Sequence, residues 1–394
     1  MATTLTHNEL KNVLRAALFT PGFDGRWGLP LLLIGDPGIG KTSTLKAEAR
    51  AAGLASKVLI GSVCDPTDFG GIPAQPVDGG RFVRTLLPSW VEDVAGWQQG
   101  GVLVLDELTS VPPAQQAAML TLALDGALGD YRLDPKVRIV AACNPPEQAV
   151  GGGSLPMPMA NRFGHLTVLP AAIDEWANIL RGGAAAVACD PADTEADVLA
   201  VWDAAYSHAQ AIVVSFLRRR PELRQATPKV GSADAEGAWA SLRSWEFAMR
   251  GFAAARVHGL TDTERDSLIA AFVGTKAALE FTTWLRDADL PEPADVLDGK
   301  TQWVPNAFRP DQTQAVLASC EALVTNDKSS LRIERARRLW TLLGSMTTMP
   351  DLIMDTAMKL GTQTDINALP EAAAARRMTM PAARAAALAG LAQR

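Results

Sequence analysis

The chain has few cysteines, no excess of positive charge and no long apolar run, and each shortage excludes a class of protein. Its four cysteines, Cys64, Cys143, Cys189 and Cys320, are scattered over 394 residues with no Cys-x-x-Cys pair and no histidine at ligand spacing. Neither a zinc site nor a disulfide framework is suggested, and buried thiols are the simplest expectation. No stretch approaches the ~20 apolar residues that span a bilayer, and the first residues, Met-Ala-Thr-Thr-Leu-Thr-His-Asn-Glu, lack the basic and apolar regions of a signal peptide. A cytoplasmic protein without membrane insertion is the expectation. A net charge of −6 counts against a broad basic surface for nucleic acid. The basic stretches Arg218 to Arg220 and Arg332 to Arg338 lie in helix-like segments and read as solvated helix faces.

Against this background one segment stands out. Gly35-Asp36-Pro37-Gly38-Ile39-Gly40-Lys41-Thr42, followed by Ser43, is a complete phosphate-binding loop, and it directly follows the apolar run Leu29 to Ile34. Its glycines let backbone N–H groups turn inward around a polyphosphate. Lys41 supplies a point charge to the β- and γ-phosphates, and Thr42 a hydroxyl ligand for Mg²⁺. Lys41 to Ala52 is rich in helix formers, so a helix N-terminus faces the same anion. ATP and Mg²⁺ are the expected cofactors.

Four further short apolar runs, Val58 to Ile60, Val102 to Leu105, Val137 to Ala142 and Leu166 to Leu169, bring the candidate strands to five. Helical patterns at Asn8 to Leu18, Trp90 to Gly96 and Pro113 to Leu124 flank them, which predicts an α/β fold with a mainly parallel sheet between helices. Between the second and third strands, Asp65-Pro-Thr-Asp-Phe-Gly-Gly-Ile-Pro leads into a turn at Asp78-Gly79-Gly80 that predicts a projecting hairpin, and a second hairpin is expected around Leu128-Gly-Asp-Tyr-Arg-Leu. After Pro170 the pattern is helical, broken at Gln225 to Gly237 and at Asp287 to Pro305. The expected domains are a nucleotide-binding core over 1–170, a linker insertion and helical lid over 171–290, and a C-terminal helical region over 291–394, whose tail from Pro381 reads as a packing helix.

Val102-Leu-Val-Leu-Asp106-Glu107 puts two acids at the end of an apolar strand, where they need a cation or solvent to face. Asp106 is placed to hold the hydration shell of Mg²⁺, and Glu107 to polarise a water for in-line attack on the γ-phosphate. Alone, the pair would read equally well as a helix-start cluster with Thr109 and Ser110; the phosphate loop favours catalysis. Asn144 ends the next strand at the level of the γ-phosphate and reads as a sensor, against a plain Asn-Pro-Pro turn.

In this order, with the insert after the second strand and Asn161-Arg162-Phe163 before the last one, these residues resemble the AAA+ ATPases and, within them, the MoxR-like branch with its helix-2 insert. The resemblance covers about residues 8 to 285 and is specific over the first 170. It implies a parallel-sheet core with a helical lid, and makes Arg162 an arginine finger acting on a neighbouring subunit's nucleotide, hence a homo-oligomeric, hexameric ring. It also makes Arg243, in Ser241-Leu-Arg243-Ser-Trp-Glu246, a sensor 2 residue, although Leu242 stands where the family has proline; pairing with Glu246 on its own helix is the other reading. The branch implies a protein client, with a von Willebrand A domain protein as the model partner. A DNA-linked motor of the helicase or restriction type and a nucleotide-gated scaffold are the alternatives, the first opposed by the acidic balance and the second by Glu107.

Overall fold

The computed structural model describes residues 5–22, 25–75, 84–145, 148, 155–180, 194–346 and 349–379. The chain divides into two compact units, Met1–Trp202 with Leu223–Leu279, and Asp203–Glu222 with Glu280–Arg394.

The first unit is built on a five-stranded parallel sheet. Its strands are β1 (Leu31–Ile34), β2 (Ala55–Ile60), β5 (Gly101–Asp106), β8 (Val137–Cys143) and β9 (Gly164–Thr167), in the order β2-β5-β8-β1-β9. The short pairs β3 (Ile72–Ala74) with β4 (Arg84–Leu86), and β6 (Ala127–Leu128) with β7 (Tyr131–Arg132), are antiparallel hairpins. All five strands expected from the apolar runs are present. Residues 101–105 and 137–143 are buried throughout, as a parallel sheet covered on both faces requires. Placing β1 between β8 and β9 puts the ends of β5, β8 and β1 side by side, so that residues distant in sequence meet at one edge.

Around the sheet lie α1 (His7–Leu18), α2 (Lys41–Ala51), α3 (Pro66–Gly70), α4 (Ser89–Ala95), α5 (Pro113–Asp125), α6 (Met157–Ala160) and α7 (Ile173–Leu180). The Asp65 start of the insert is helical because Asp65 caps α3 reciprocally: its carboxylate accepts from Thr67 N at 3.0 Å, while its own N–H donates to Asp68 at 2.8 Å. Gly71, at φ 72°, then turns the chain into β3. The turn expected at Asp78-Gly79-Gly80 lies outside the described residues, but Ile72 to Ala74 pair with Arg84 to Leu86 on either side of it.

Helix α8 (Glu195–Arg219) begins in the first unit and ends in the second; α9 (Leu242–Val257) and α10 (Asp262–Val273) belong to the first. Among the described residues no strand follows β9. The second unit comprises the end of α8, the end of α11 (Thr275–Ala288), α12 (Pro293–Leu297), α13 (Pro310–Asn326), α14 (Arg332–Ser345), α15 (Pro350–Gly361), α16 (Thr364–Asn367) and α17 (Pro370–Thr379). Its core holds Leu317, Cys320, Val324, Leu339, Trp340, Ile353 and Leu360, all fully buried. Cys64, Cys143 and Cys320 are free thiols; Cys189 and the tail from Pro381 lie outside the described residues. No helix among the described residues is long and apolar enough to cross a membrane.

Candidate active site

The phosphate loop turns at the carboxyl end of β1. Gly38 and Gly40 have φ of 82° and 91°, in the left-handed region, and a Cβ on either would meet open space. Backbone preference, rather than crowding, demands glycine there. Gly35 is held by closeness: a Cβ would lie 2.6 Å from Ile39 Cδ1 and 2.7 Å from the Val168 carbonyl. Asp36, Pro37 and Gly38 are exposed, as is Ser43. Helix α2 starts at Gly40 with no side-chain cap and no acid in its first turn, leaving its leading N–H groups for an anion.

Lys41 is buried, and its ammonium donates to the Gly35 carbonyl at 2.6 Å, the Asp36 carbonyl at 3.0 Å and Asn144 Oδ1 at 3.0 Å. Those three bonds account for all three of its protons. Burial holds its pKa below the ordinary lysine value, with the carboxylate of Asp106 pulling the other way. Gln148 donates to Asp36 Oδ1 at 2.9 Å. Beside the lysine, burial pushes the Cys143 thiol up to about 11, so it stays protonated.

Thr42 Oγ1 donates to Asp106 Oδ2 at 2.5 Å, and Glu107 N donates to Asp106 Oδ1 at 2.9 Å. A hydroxyl and a carboxylate thus adjoin one another at the phosphate loop. Two hard oxygens in this position fit Mg²⁺, which takes one or two protein oxygens and fills its octahedron from phosphate and water. Among the described residues no cluster of three or more His, Cys, Asp or Glu competes as a metal site. Glu107 sits at φ 60°, left-handed for a residue with a Cβ, and its carbonyl accepts from Ser110 N at 3.0 Å. Such a conformation persists only where the surroundings enforce it.

Lys41 is therefore hydrogen-bonded to Asn144, its chain neighbour Thr42 to Asp106, and Glu107 follows Asp106 in the chain. Arg162 is elsewhere. It precedes β9, whose Gly164 is level with Leu31 at the start of β1, so it lies at the opposite end of the strands from the phosphate loop. There it lines a cavity of about 690 Å³ with Arg26, Trp27, Arg132, Arg243, Glu246 and Arg250 among its walls. None of the residues lining this cavity comes from the phosphate loop, and Asp106, Glu107 and Asn144 are absent from it too. Arg243 is thus placed with Arg162 and not with the Lys41 group.

Arg26 and Arg132 donate to the Asp125 carbonyl at 2.8 and 3.1 Å, across the C-terminus of α5, and Arg250 donates to the Pro21 carbonyl at 2.7 Å. Among the described residues the guanidinium groups of Arg162 and Arg243 meet no hydrogen-bond or ion-pair partner, and the Arg243–Glu246 pair open from the sequence does not form.

Sequence reasoning missed two features. Arg138, within β8, is fully buried, donates to Leu18 O at 3.0 Å and Lys136 O at 2.8 Å, and pairs with Glu195 at 2.6 Å. The signal was a lone charge in an apolar strand. Asn161 bonds to Trp239 and Ser241, for which the sequence carried no signal.

Residues 31–165 match the family described as "ATPase family associated with various cellular activities (AAA)". Among solved structures, a Cytophaga hutchinsonii protein provisionally named an ATPase is similar at 18% identity and a TM-score of 0.47, over 74% of this chain and 92% of that one. The family match spans the phosphate loop, Asp106, Glu107, Asn144 and Arg162, and stops before Arg243. Over residues 31–165 the chain is thus similar to AAA-family ATPase domains.

Proposed function

We propose that the protein is a MoxR-like AAA+ ATPase that hydrolyses Mg-ATP in a ring of identical subunits and uses the cycle to remodel or mature a protein partner. The observation that carries this reading is the split site. From the level of Arg162 to Gly35 is about six residues along paired strands, or roughly 20 Å at ~3.3 Å per residue, so one chain cannot close Arg162 on its own phosphates. A heterologous contact, in which one subunit's arginine cavity meets the next subunit's phosphate loop, completes the site, and repeating it closes a ring.

In this scheme the N–H groups of Gly38, Gly40 and the start of α2 hold the phosphates. Lys41 exchanges its bonds with Asn144 and the loop carbonyls for the β- and γ-oxygens. Asn144, released, is free to contact the γ-phosphate. Thr42 and Asp106 would hold Mg²⁺, which supplies neutralising charge on the phosphate oxygens. Glu107 takes the proton from the attacking water. Arg162 and Arg243 of the adjoining subunit stabilise charge on the transferred group, the guanidinium fork matching phosphate oxygens better than an ammonium would. The resemblance to the MoxR-like branch points to a von Willebrand A domain protein as the client, and 171–290 and 291–394 serve as lid and accessory helical region.

The test is the mass of Glu107→Gln protein by mass photometry with and without Mg-ATP, since blocked hydrolysis traps the ATP-bound assembly. The expected result is a shift from a 41.8 kDa subunit to about 250 kDa, retained with Arg162→Ala, whose loss falls on catalysis and not on assembly. A monomer under both conditions, with ATP binding demonstrated, refutes the ring.

A further inference from the structure

Arg162 and Arg243 are 81 residues apart, yet they line one cavity, and the connection between them is a closed hydrogen-bond network. Asn161, next to Arg162, is 5% exposed. Its amide nitrogen donates to the Trp239 carbonyl at 2.7 Å, and its amide oxygen accepts from Ser241 Oγ at 2.6 Å. Ser241 is the N-cap of α9, the helix that carries Arg243 in its first turn; its hydroxyl accepts from Ser244 N at 3.1 Å while donating to Asn161. Ser244 completes the network: its hydroxyl donates to the Trp239 carbonyl at 2.9 Å and accepts from Ser241 N at 2.8 Å. Ser241 and Ser244 are 5% and 1% exposed. A carbonyl can only accept, so the Asn161 amide has one permitted orientation.

We propose that Asn161 is a positioning residue for ATP hydrolysis in the adjoining subunit: it fixes the start of α9 so that Arg243 projects into the same cavity as Arg162. The proposal rests on the trans-acting reading of Arg162. Two unpaired guanidinium groups on independent elements would sample many relative positions, whereas a phosphoryl group in transfer needs both at fixed distances. The network ties the Arg162 turn to the cap of α9 through two short bonds. Nothing in it touches the chain's own phosphate loop, so its loss should impair the neighbour's chemistry and leave nucleotide binding intact.

The test is Asn161→Asp, which keeps size and shape but replaces the donor facing the Trp239 carbonyl with an acceptor. Alone, Asn161→Asp should lower kcat about tenfold or more, with the Kd for ATP within about twofold of the parent. The informative measurement mixes it with Lys41→Ala, which cannot hold ATP but keeps an intact Asn161 network. In a mixed ring the Asn161→Asp phosphate loops face normal arginines, so activity should return; a generally misfolded Asn161→Asp subunit would not recover. An Arg162→Ala plus Lys41→Ala mixture runs in parallel. If that mixture recovers while Asn161→Asp alone retains parental kcat, the Asn161 proposal fails and the trans reading stands. If Asn161→Asp loses kcat but does not recover on mixing while Arg162→Ala does, the loss is structural and the proposal also fails. If Arg162→Ala does not recover, the trans reading itself is wrong.

Discussion

Glu107 carries a conformational cost that should be separable from its chemistry. At φ 60° it occupies the left-handed region, which costs a residue with a Cβ about 1–2 kcal/mol. Glycine escapes that cost but gives up about 0.5–1 kcal/mol through the greater freedom of its unfolded chain. Glu107→Gly should therefore stabilise the first unit by about 0.5–1 kcal/mol, while Glu107→Ala, which keeps the Cβ, should not. The backbone bonds that hold the turn, from Glu107 N to Asp106 and from Ser110 N to the Glu107 carbonyl, survive both substitutions. In thermal unfolding, followed through the transition that Mg-ATP shifts, Glu107→Gly should melt about 1–3 °C above Glu107→Ala. Both variants should lose at least ~100-fold in ATPase rate with the catalytic base gone. A Glu107→Gly midpoint at or below that of Glu107→Ala would refute the strain argument.

Further expectations follow from buried groups. Glu195→Gln leaves the Arg138 guanidinium, fully buried in β8, without the carboxylate it now pairs with. Since Glu195 keeps a quarter of its side chain in water, the cost should be about 2 kcal/mol, below the ~3–5 typical of a fully buried pair, and urea unfolding at neutral pH measures it. His165 contacts the Ala160 carbonyl at 2.8 Å through Nε2, and burial lowers its pKa from 6.5. The unfolded chain then binds a proton that the folded one resists, so stability should fall as pH drops below about 6.5. His165→Gln, which keeps a donor and cannot titrate, should flatten that part of the urea-midpoint profile; an unchanged slope contradicts the assignment.

Much of the fold was legible because parallel strands buried on both faces leave unbroken apolar runs, and all five runs became strands within a few residues of their expected limits. The Lys41, Thr42, Asp106 and Asn144 cluster was legible for a related reason: each residue follows, or terminates, such a run, and parallel strands put all such ends on one edge of the sheet. The strand order itself was not written in the runs. Nor was the placement of Arg243, which depends on where α9 docks: its buried face carries Trp245 and small residues, and its cap bonds to Asn161, far away in sequence. The left-handed Glu107 was hidden because local sequence normally reserves that conformation for glycine or asparagine. Arg138 shows the converse, a charge visible in the strand whose partner, Glu195, lies 57 residues away.

The measurement that bears most directly on the split site is the ATPase rate of Lys41→Ala and Arg162→Ala proteins, alone and mixed. Each should be nearly inactive by itself, one lacking a phosphate site and the other an arginine for its neighbour. In a random equimolar ring roughly a quarter of the sites pair an intact phosphate loop with an intact arginine, so the mixture should recover about a quarter of the parental rate. A mixture no more active than its components would show that Arg162 does not act across a subunit boundary, and the account of the site would be wrong.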